Sequence, residues 1–221
     1  MSLPRIEPYS LPVSNERPTG RVSWRPDPQR AALLVHDMQR YFLAPFVGEP
    51  VGTVTANIAS LLAVCRERNV PVIFTAQPGR QDAKERGLLN EFWGPGIGGV
   101  IDDDPAAADI IDELAPHPTD TVLTKWRYSA FQRSPLAEHL AELGRDQLII
   151  TGIYAHIGCQ ATAVEAFMRD VRPFFVVDGV ADFSRRHHDQ ACEYVAQRCG
   201  VVVTTAEVCE ALSGVPTGVA R

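Results

Sequence analysis

Short continuous apolar runs punctuate the chain at 31–36, 70–75, 121–124, 148–151, 173–177 and 201–204. Each is too short for a helix and lacks a polar alternation, which is how strands buried on both faces read. Between the runs the apolar positions are spaced differently. Over 54–68, Ile58, Leu61, Leu62 and Cys65 recur three and four apart on one helical face, with Asn69 as the stop. Residues 135–143 begin on proline and end before Gly144, the asymmetry of a helix start and stop. Further helices are predicted over 106–114, halted by Pro116, from about 158 to 170, over 186–198, and after the last strand. Strands and helices alternating roughly every thirty residues predict a three-layer α/β/α domain on a six-stranded, mostly parallel sheet with right-handed crossovers.

The segments outside this alternation carry their own signals. Residues 1–30 hold Pro4, Pro8, Pro12, Pro18, Pro26 and Pro28, too many for a helix or a central strand. They predict an extended arm laid over the body or a neighbouring subunit, ahead of a domain over 31–213 and a flexible tail over 214–221. The stretch 76–99 is long, rich in Gly and Pro, and contains Gln77, Arg86, Phe92 and Trp93, so it reads as a binding loop or lid. Residues 151–159, T-G-I-Y-A-H-I-G-C, turn from a buried strand into a helix. In an open α/β sheet ligands sit beyond the carboxyl ends of the strands, where helix N-termini offer free N–H groups. The strand ends at Asp37, Lys125 and 152–159 all fall on that edge.

Composition narrows the function. A chain of 221 residues suffices for one well-filled core. Its formal net charge of −6 speaks against non-specific nucleic-acid binding, although a local basic pocket still attracts a small anion. No apolar run approaches the roughly 20 residues that span a bilayer, and the N-terminus lacks a signal pattern, so a soluble, cytoplasmic protein without membrane contact is expected. The five cysteines form an odd set without a C-x-x-C pair, so reduced thiols are expected rather than a disulfide framework or zinc site. Cys192 and Cys199, seven apart, read as core. His187 and His188 are consecutive and cannot face one ligand together, and His156 reads as a structural histidine. No metal or other cofactor is expected.

Six words in order resemble the isochorismatases of the isochorismatase-like hydrolase superfamily: L-L-V-H-D-M-Q-R-Y-F (33–42), T-A-Q-P-G (75–79), F-W-G-P-G (92–96), T-K-W-R-Y-S-A-F (124–131), R-D-Q-L-I-I-T-G-I-Y-A-H-I-G-C (145–159) and A-D-F-S (181–184). Many members of that superfamily are amidases with an Asp, Lys and Cys triad. By the resemblance Asp37 and Lys125 hold the first two places, but the nucleophile's place holds Gly158, with Cys159 one position late. The vinyl-ether hydrolases of the family, acting on isochorismate or on 2-amino-2-deoxyisochorismate, are similar in having glycine there. The resemblance implies a metal-free hydrolysis of the enol-pyruvyl ether of isochorismate to 2,3-dihydro-2,3-dihydroxybenzoate and pyruvate, on a route to 2,3-dihydroxybenzoate siderophores or related metabolites.

Such chemistry requires a general acid rather than a covalent nucleophile, since the ether opens by protonation of its methylene carbon. Asp37 is the expected proton donor. Lys125 should lower its pKa and burial should raise it; the substrate's carboxylates could offset the lysine. By resemblance, Gln77, Arg86, Lys125, Tyr154 and the Gly158 N–H hold the polar groups of a dianionic substrate, while Phe42 and Trp93 wall its ring. The absent side chain at Gly158 is expected to leave room for substrate. Of Lys125, Arg127 and Arg86, two are expected on the anion and Arg127 in an internal pair. Cys159 should point away from the reacting carbon; the rival readings are the 2-amino-2-deoxy substrate and a cysteine amidase using Cys159. The resemblance and the arm also imply a homodimer, and the product's aryl carrier would be absent or supplied by a separate protein.

Overall fold

The computed structural model describes residues 3–214, and apart from Gly214 the expected tail lies outside them. Six strands, β1 (Ala31–His36), β2 (Val72–Ala76), β3 (Thr121–Thr124), β4 (Gln147–Ile153), β5 (Arg172–Ala181) and β6 (Val201–Val203), form one sheet in the order β3-β2-β1-β4-β5-β6. Every pairing is parallel, so the sheet goes further than the mostly parallel one expected. The helices are α1 (Arg40–Leu43), α2 (Val51–Glu67), α3 (Ala83–Arg86), α4 (Leu88–Trp93), α5 (Leu136–Glu142), α6 (Gln160–Met168), α7 (Arg185–Arg198) and α8 (Thr205–Ser213). Among the described residues no helix is long and apolar enough to cross a membrane.

The continuous apolar runs have the expected cause. Along β1, Leu33 and Val35 enter a core with residues of α2 and α8, while Ala32 and Leu34 enter a second core with residues of α5, α6 and α7. A strand covered on both faces has no solvent side on which to place polar residues. The order places β1 between β2 and β4, the point at which the chain switches direction across the sheet and at which open α/β folds bind ligands.

Two predicted elements differ. The helix expected over 106–114 is instead two single turns, Pro105–Ala108 and Asp112–Leu114. Between them the backbone is spent elsewhere: Asp109 O accepts from Arg40 N at 2.9 Å and Ile111 N donates to Met38 O at 3.1 Å. Those bonds pin the segment beside the end of β1 and break the helical repeat. The loop over 76–99 contains α3 and α4, with Asp82 capping α3 through a reciprocal box with Glu85. β5 also runs four residues beyond its apolar signal, to Ala181, after a register shift against β4 between Ile150 and Gly152.

The N-terminal arm lies over this chain's own body. Ile6 is buried and pairs with Phe46, Leu3 reaches the rim of a cavity beyond β1, and the Tyr9 hydroxyl accepts from Asp182 N at 2.8 Å.

Candidate active site

The cavity at the carboxyl end of β1, β3 and β4 brings together Asp37, Phe42, Gln77, Arg86, Trp93, Lys125, Tyr154 and Gly158, with His36, Tyr41, Arg127 and Tyr128 also on its wall. Three cations there face a single carboxylate, so a chain that is acidic overall presents a basic pocket to an anion.

Asp37 is the first residue past β1 and is 4 % exposed, with φ +50°, a left-handed conformation that aspartate tolerates better than most residues. Its Oδ1 accepts from the Thr75 hydroxyl at 2.6 Å, and its Oδ2 accepts from Lys125 Nζ at 3.1 Å and from Gln77 Nε2 at 3.5 Å. Burial opposes the charge, but the Lys125 ammonium and the hydrogen bonds from Thr75 and Lys125 outweigh it. The Asp37 pKa therefore lies below the ordinary carboxylate value, and the group is a carboxylate at neutral pH.

The supporting shell is built from buried polar groups. Gln39, fully buried, donates from Nε2 to Gln77 O and Ala108 O at 2.8 and 2.6 Å and accepts from Gln77 N at 2.7 Å, which fixes the strand end carrying Gln77. The lid is tied down at three places. Arg86 Nε donates to Gly94 O at 2.5 Å, Trp93 Nε1 to Tyr128 Oη at 2.7 Å, and Arg127 Nη1 to Glu85 O at 2.7 Å. Burial draws the Arg86 pKa down from the guanidinium value, though a guanidinium does not deprotonate in a protein. Arg127 spends its guanidinium on the Glu85 and Trp126 carbonyls while still bordering the cavity; the internal partners are carbonyls rather than an acid.

The geometry sharpens two expectations. The Tyr154 hydroxyl donates to Phe42 O at 2.5 Å, so it offers a ligand in the cavity an acceptor lone pair rather than its proton. Gly158 borders the cavity, but the volume its missing side chain would take is filled by the His36 ring: a Cβ built on Gly158 would meet His36 Cε1 at 2.2 Å. His36, Gln39 and Thr75 are the shell residues that sequence reasoning passed over. The L-V-H-D-M-Q word contained the first two, but only the packed structure gives them partners.

The remaining candidates fall outside the cavity. Cys159 is fully buried in the second core, with Sγ 3.9 Å from Thr151 O, and burial pushes its thiol pKa well above the ordinary value. Such a thiol is inert. His156 Nδ1 lies 2.6 Å from the fully buried Asp182 carboxylate, whose other oxygen accepts from His156 N at 2.6 Å. Cys192 and Cys199 are buried in the second core. Among the described residues no group of three or more His, Cys, Asp or Glu side chains is arranged to hold a metal ion.

Comparison with known proteins identifies the family and the fold. A family model described as the isochorismatase domain matches residues 31–207. The chain is 50 % identical to the isochorismatase of Bacillus subtilis (strain 168) over all of this chain and 70 % of the relative. It is 48 % identical to the phenazine biosynthesis protein PhzD of Pseudomonas fluorescens over 93 % of this chain and 98 % of the relative. A crystal structure of a cysteine hydrolase from Pseudomonas syringae pv. phaseolicola 1448A superposes with a TM-score of 0.78 at 24 % identity, covering 89 % of this chain and 98 % of that one, a likeness of fold.

Proposed function

The chain belongs to the isochorismatase family, and from that premise we propose that it hydrolyses the enol-pyruvyl ether of isochorismate to 2,3-dihydro-2,3-dihydroxybenzoate and pyruvate, with Asp37 as the general acid. The observation that carries the reading is the floor of the pocket. Among the described residues its lining holds one carboxylate, Asp37, and the cations Lys125, Arg86 and Arg127, while the turn after β4 carries Gly158 at the place where the amidases of the superfamily, by the resemblance, carry their nucleophile.

In this mechanism the two substrate carboxylates pair with the pocket's cations, and the ring lies between Phe42 and Trp93. Asp37 delivers its proton to the terminal methylene carbon. The C=C π electrons take it up, the methylene becomes a methyl group, and the ether carbon becomes an oxocarbenium ion. Water adds to that carbon and returns one proton to Asp37. In the resulting hemiketal the hydroxyl loses its proton as its oxygen forms the ketone C=O, the C–O bond to the ring breaks, and the departing ring oxygen takes up a proton, releasing pyruvate and the ring alcohol. No step needs a thiol, which agrees with the burial of Cys159.

Supplying isochorismate and, separately, 2-amino-2-deoxyisochorismate while following pyruvate tests the reading. Faster turnover (higher kcat/KM) of isochorismate is expected; preference for the amino analogue would move the assignment to the phenazine-type substrate, and no pyruvate from either would remove it. Cys159→Ala is expected to retain most activity. It deletes one buried sulfur, for a small-cavity cost of about 1 kcal/mol and a Tm lower by about 2–4 °C. Abolished turnover in a folded Cys159→Ala protein would favour a cysteine hydrolase. The reading includes a homodimer, which light scattering of the purified chain checks.

A further inference from the structure

His36 closes β1, is 1 % exposed, and borders the cavity. Its ring lies between two main-chain carbonyls: Nδ1 is 2.8 Å from Ile153 O at the end of β4, and Nε2 is 3.3 Å from Tyr128 O in the turn after β3. The shorter contact assigns the ring proton to Nδ1. Burial pushes the imidazole pKa down to about 4, so the ring is neutral at pH 7.

Gly152, near the end of β4, and Gly158, in the turn after it, both face this one residue. A Cβ on Gly152 would stand 2.1 Å from His36 O, and Gly152 also has φ +103°, so its backbone alone calls for glycine. Gly158 is a different case. Its φ is not in the left-handed region, and any residue could adopt its backbone. What excludes a side chain is the imidazole, with Cε1, Nε2 and Nδ1 at 2.2, 2.7 and 3.1 Å from the Cβ position.

We infer that His36 is a specificity-determining residue: its imidazole occupies the volume of the first side-chain atom at position 158, so that no nucleophile can be presented from this turn and proton transfer at Asp37 is the chemistry left to the site. Asp37 sits next to His36 in sequence, and His36 Nδ1 lies 3.7 Å from Asp37 Oδ2. One strand end therefore both supplies the acid and bars the alternative. The inference relies on the ether-hydrolase reading for its consequence but not for its test, which needs no substrate.

The test is a mutant cycle in the full chain. Gly158→Ala and Gly158→Cys are each made with His36 retained, with His36→Ala, and with His36→Val, a strand-compatible second background. Contacting residues are expected to couple. With His36 retained, each change at 158 should lower Tm by about 5 °C or more, the effect of forcing an atom into a filled space. In either His36 variant the same changes should cost less than about 2 °C. Failure of Gly158→Cys to fold with His36 present, together with folding in a His36 variant, is the same result in stronger form. In the doubly substituted protein the introduced thiol should be alkylated by iodoacetamide at least about tenfold faster than the buried Cys159, read by peptide mass spectrometry, because the cavity reaches position 158 and not the second core. Equal Tm losses in all backgrounds overturn the inference, as does ready alkylation of a thiol at 158 in a folded protein that keeps His36. Absence of pyruvate from wild-type protein would remove the functional reading while leaving this cycle intact, so the two fail separately.

Discussion

Asp37→Asn should lower pyruvate release from isochorismate by about 10²–10⁴-fold in kcat, the range spanned by loss of a positioned general acid. The asparagine side chain keeps the shape of the carboxylate and can still accept from Lys125 Nζ, which now stands 3.1 Å from Asp37 Oδ2. KM should therefore change much less than kcat, the pattern of an interaction made in the transition state. A variant that keeps most of its kcat would show that the proton comes from elsewhere.

The protonation state makes that prediction sharper. Before substrate binds, Asp37 is held below the ordinary carboxylate value, with Lys125 and Thr75 outweighing its burial, so at neutral pH it carries no proton to give. A dianionic substrate changes the balance. Its carboxylates compete for Lys125 and Arg86, weakening the forces that lowered the pKa and leaving desolvation, which raises it. Substrate binding should then take up a proton, visible as a binding enthalpy that varies with the ionisation enthalpy of the buffer. Asp37→Asn should abolish that dependence. In wild-type protein kcat/KM, which reports the free enzyme, should fall by about tenfold per pH unit through the neutral range, because the protonated fraction of Asp37 falls at that rate. A profile flat from pH 5 to 8 would exclude Asp37 as the acid.

Much of this site was legible in the sequence because it depends on where strands end. Asp37, Lys125 and the glycine-bearing turn each follow a continuous apolar run, and parallel strands deliver their carboxyl ends to one edge. The contacts of side chains with main chain were not legible. His36 looked like the last residue of a buried strand, and its meaning arises from register: it pairs with Gly152 across β1 and β4, which brings the following turn, and Gly158 with it, onto the ring. Gln39 gave no signal as the residue that fixes Gln77, since its partners at Gln77 and Ala108 are 38 and 69 residues away. The 106–114 segment failed for a related reason. Its local helical spacing is overridden by hydrogen bonds to the end of β1, a tertiary choice that no window of nearby residues contains.

Lys125→Met should separate the two charges of the site by their effect on stability. Lys125 and Asp37 are 2 % and 4 % exposed, and removing one member of a buried pair strands the other charge, typically at about 3–5 kcal/mol. Asp37 can limit the loss by binding a proton. Neutralising a carboxyl of ordinary pKa near 3.9 at pH 7 costs about 4 kcal/mol, and that cost falls by about 1.4 kcal/mol per unit as pH drops. The signs then oppose one another. In wild-type protein the folded-state pKa of Asp37 is depressed, so its contribution is present above the unfolded pKa and is lost as pH falls through the folded one. In the variant the folded-state pKa is raised by uncompensated burial, so stability grows as pH falls towards the unfolded value. At pH 7.5 the variant should melt about 6–20 °C below wild type, and at pH 5 the gap should narrow markedly. Turnover adds a second reading of the same balance. With the cation gone, KM for a dianionic substrate should rise, while the descending limb of kcat, set by ionisation of Asp37, should move to higher pH because the ammonium that favoured the ionised form is absent. A melting gap that does not change between pH 5 and 7.5 would mean that Lys125 acts through packing rather than through the charge of Asp37.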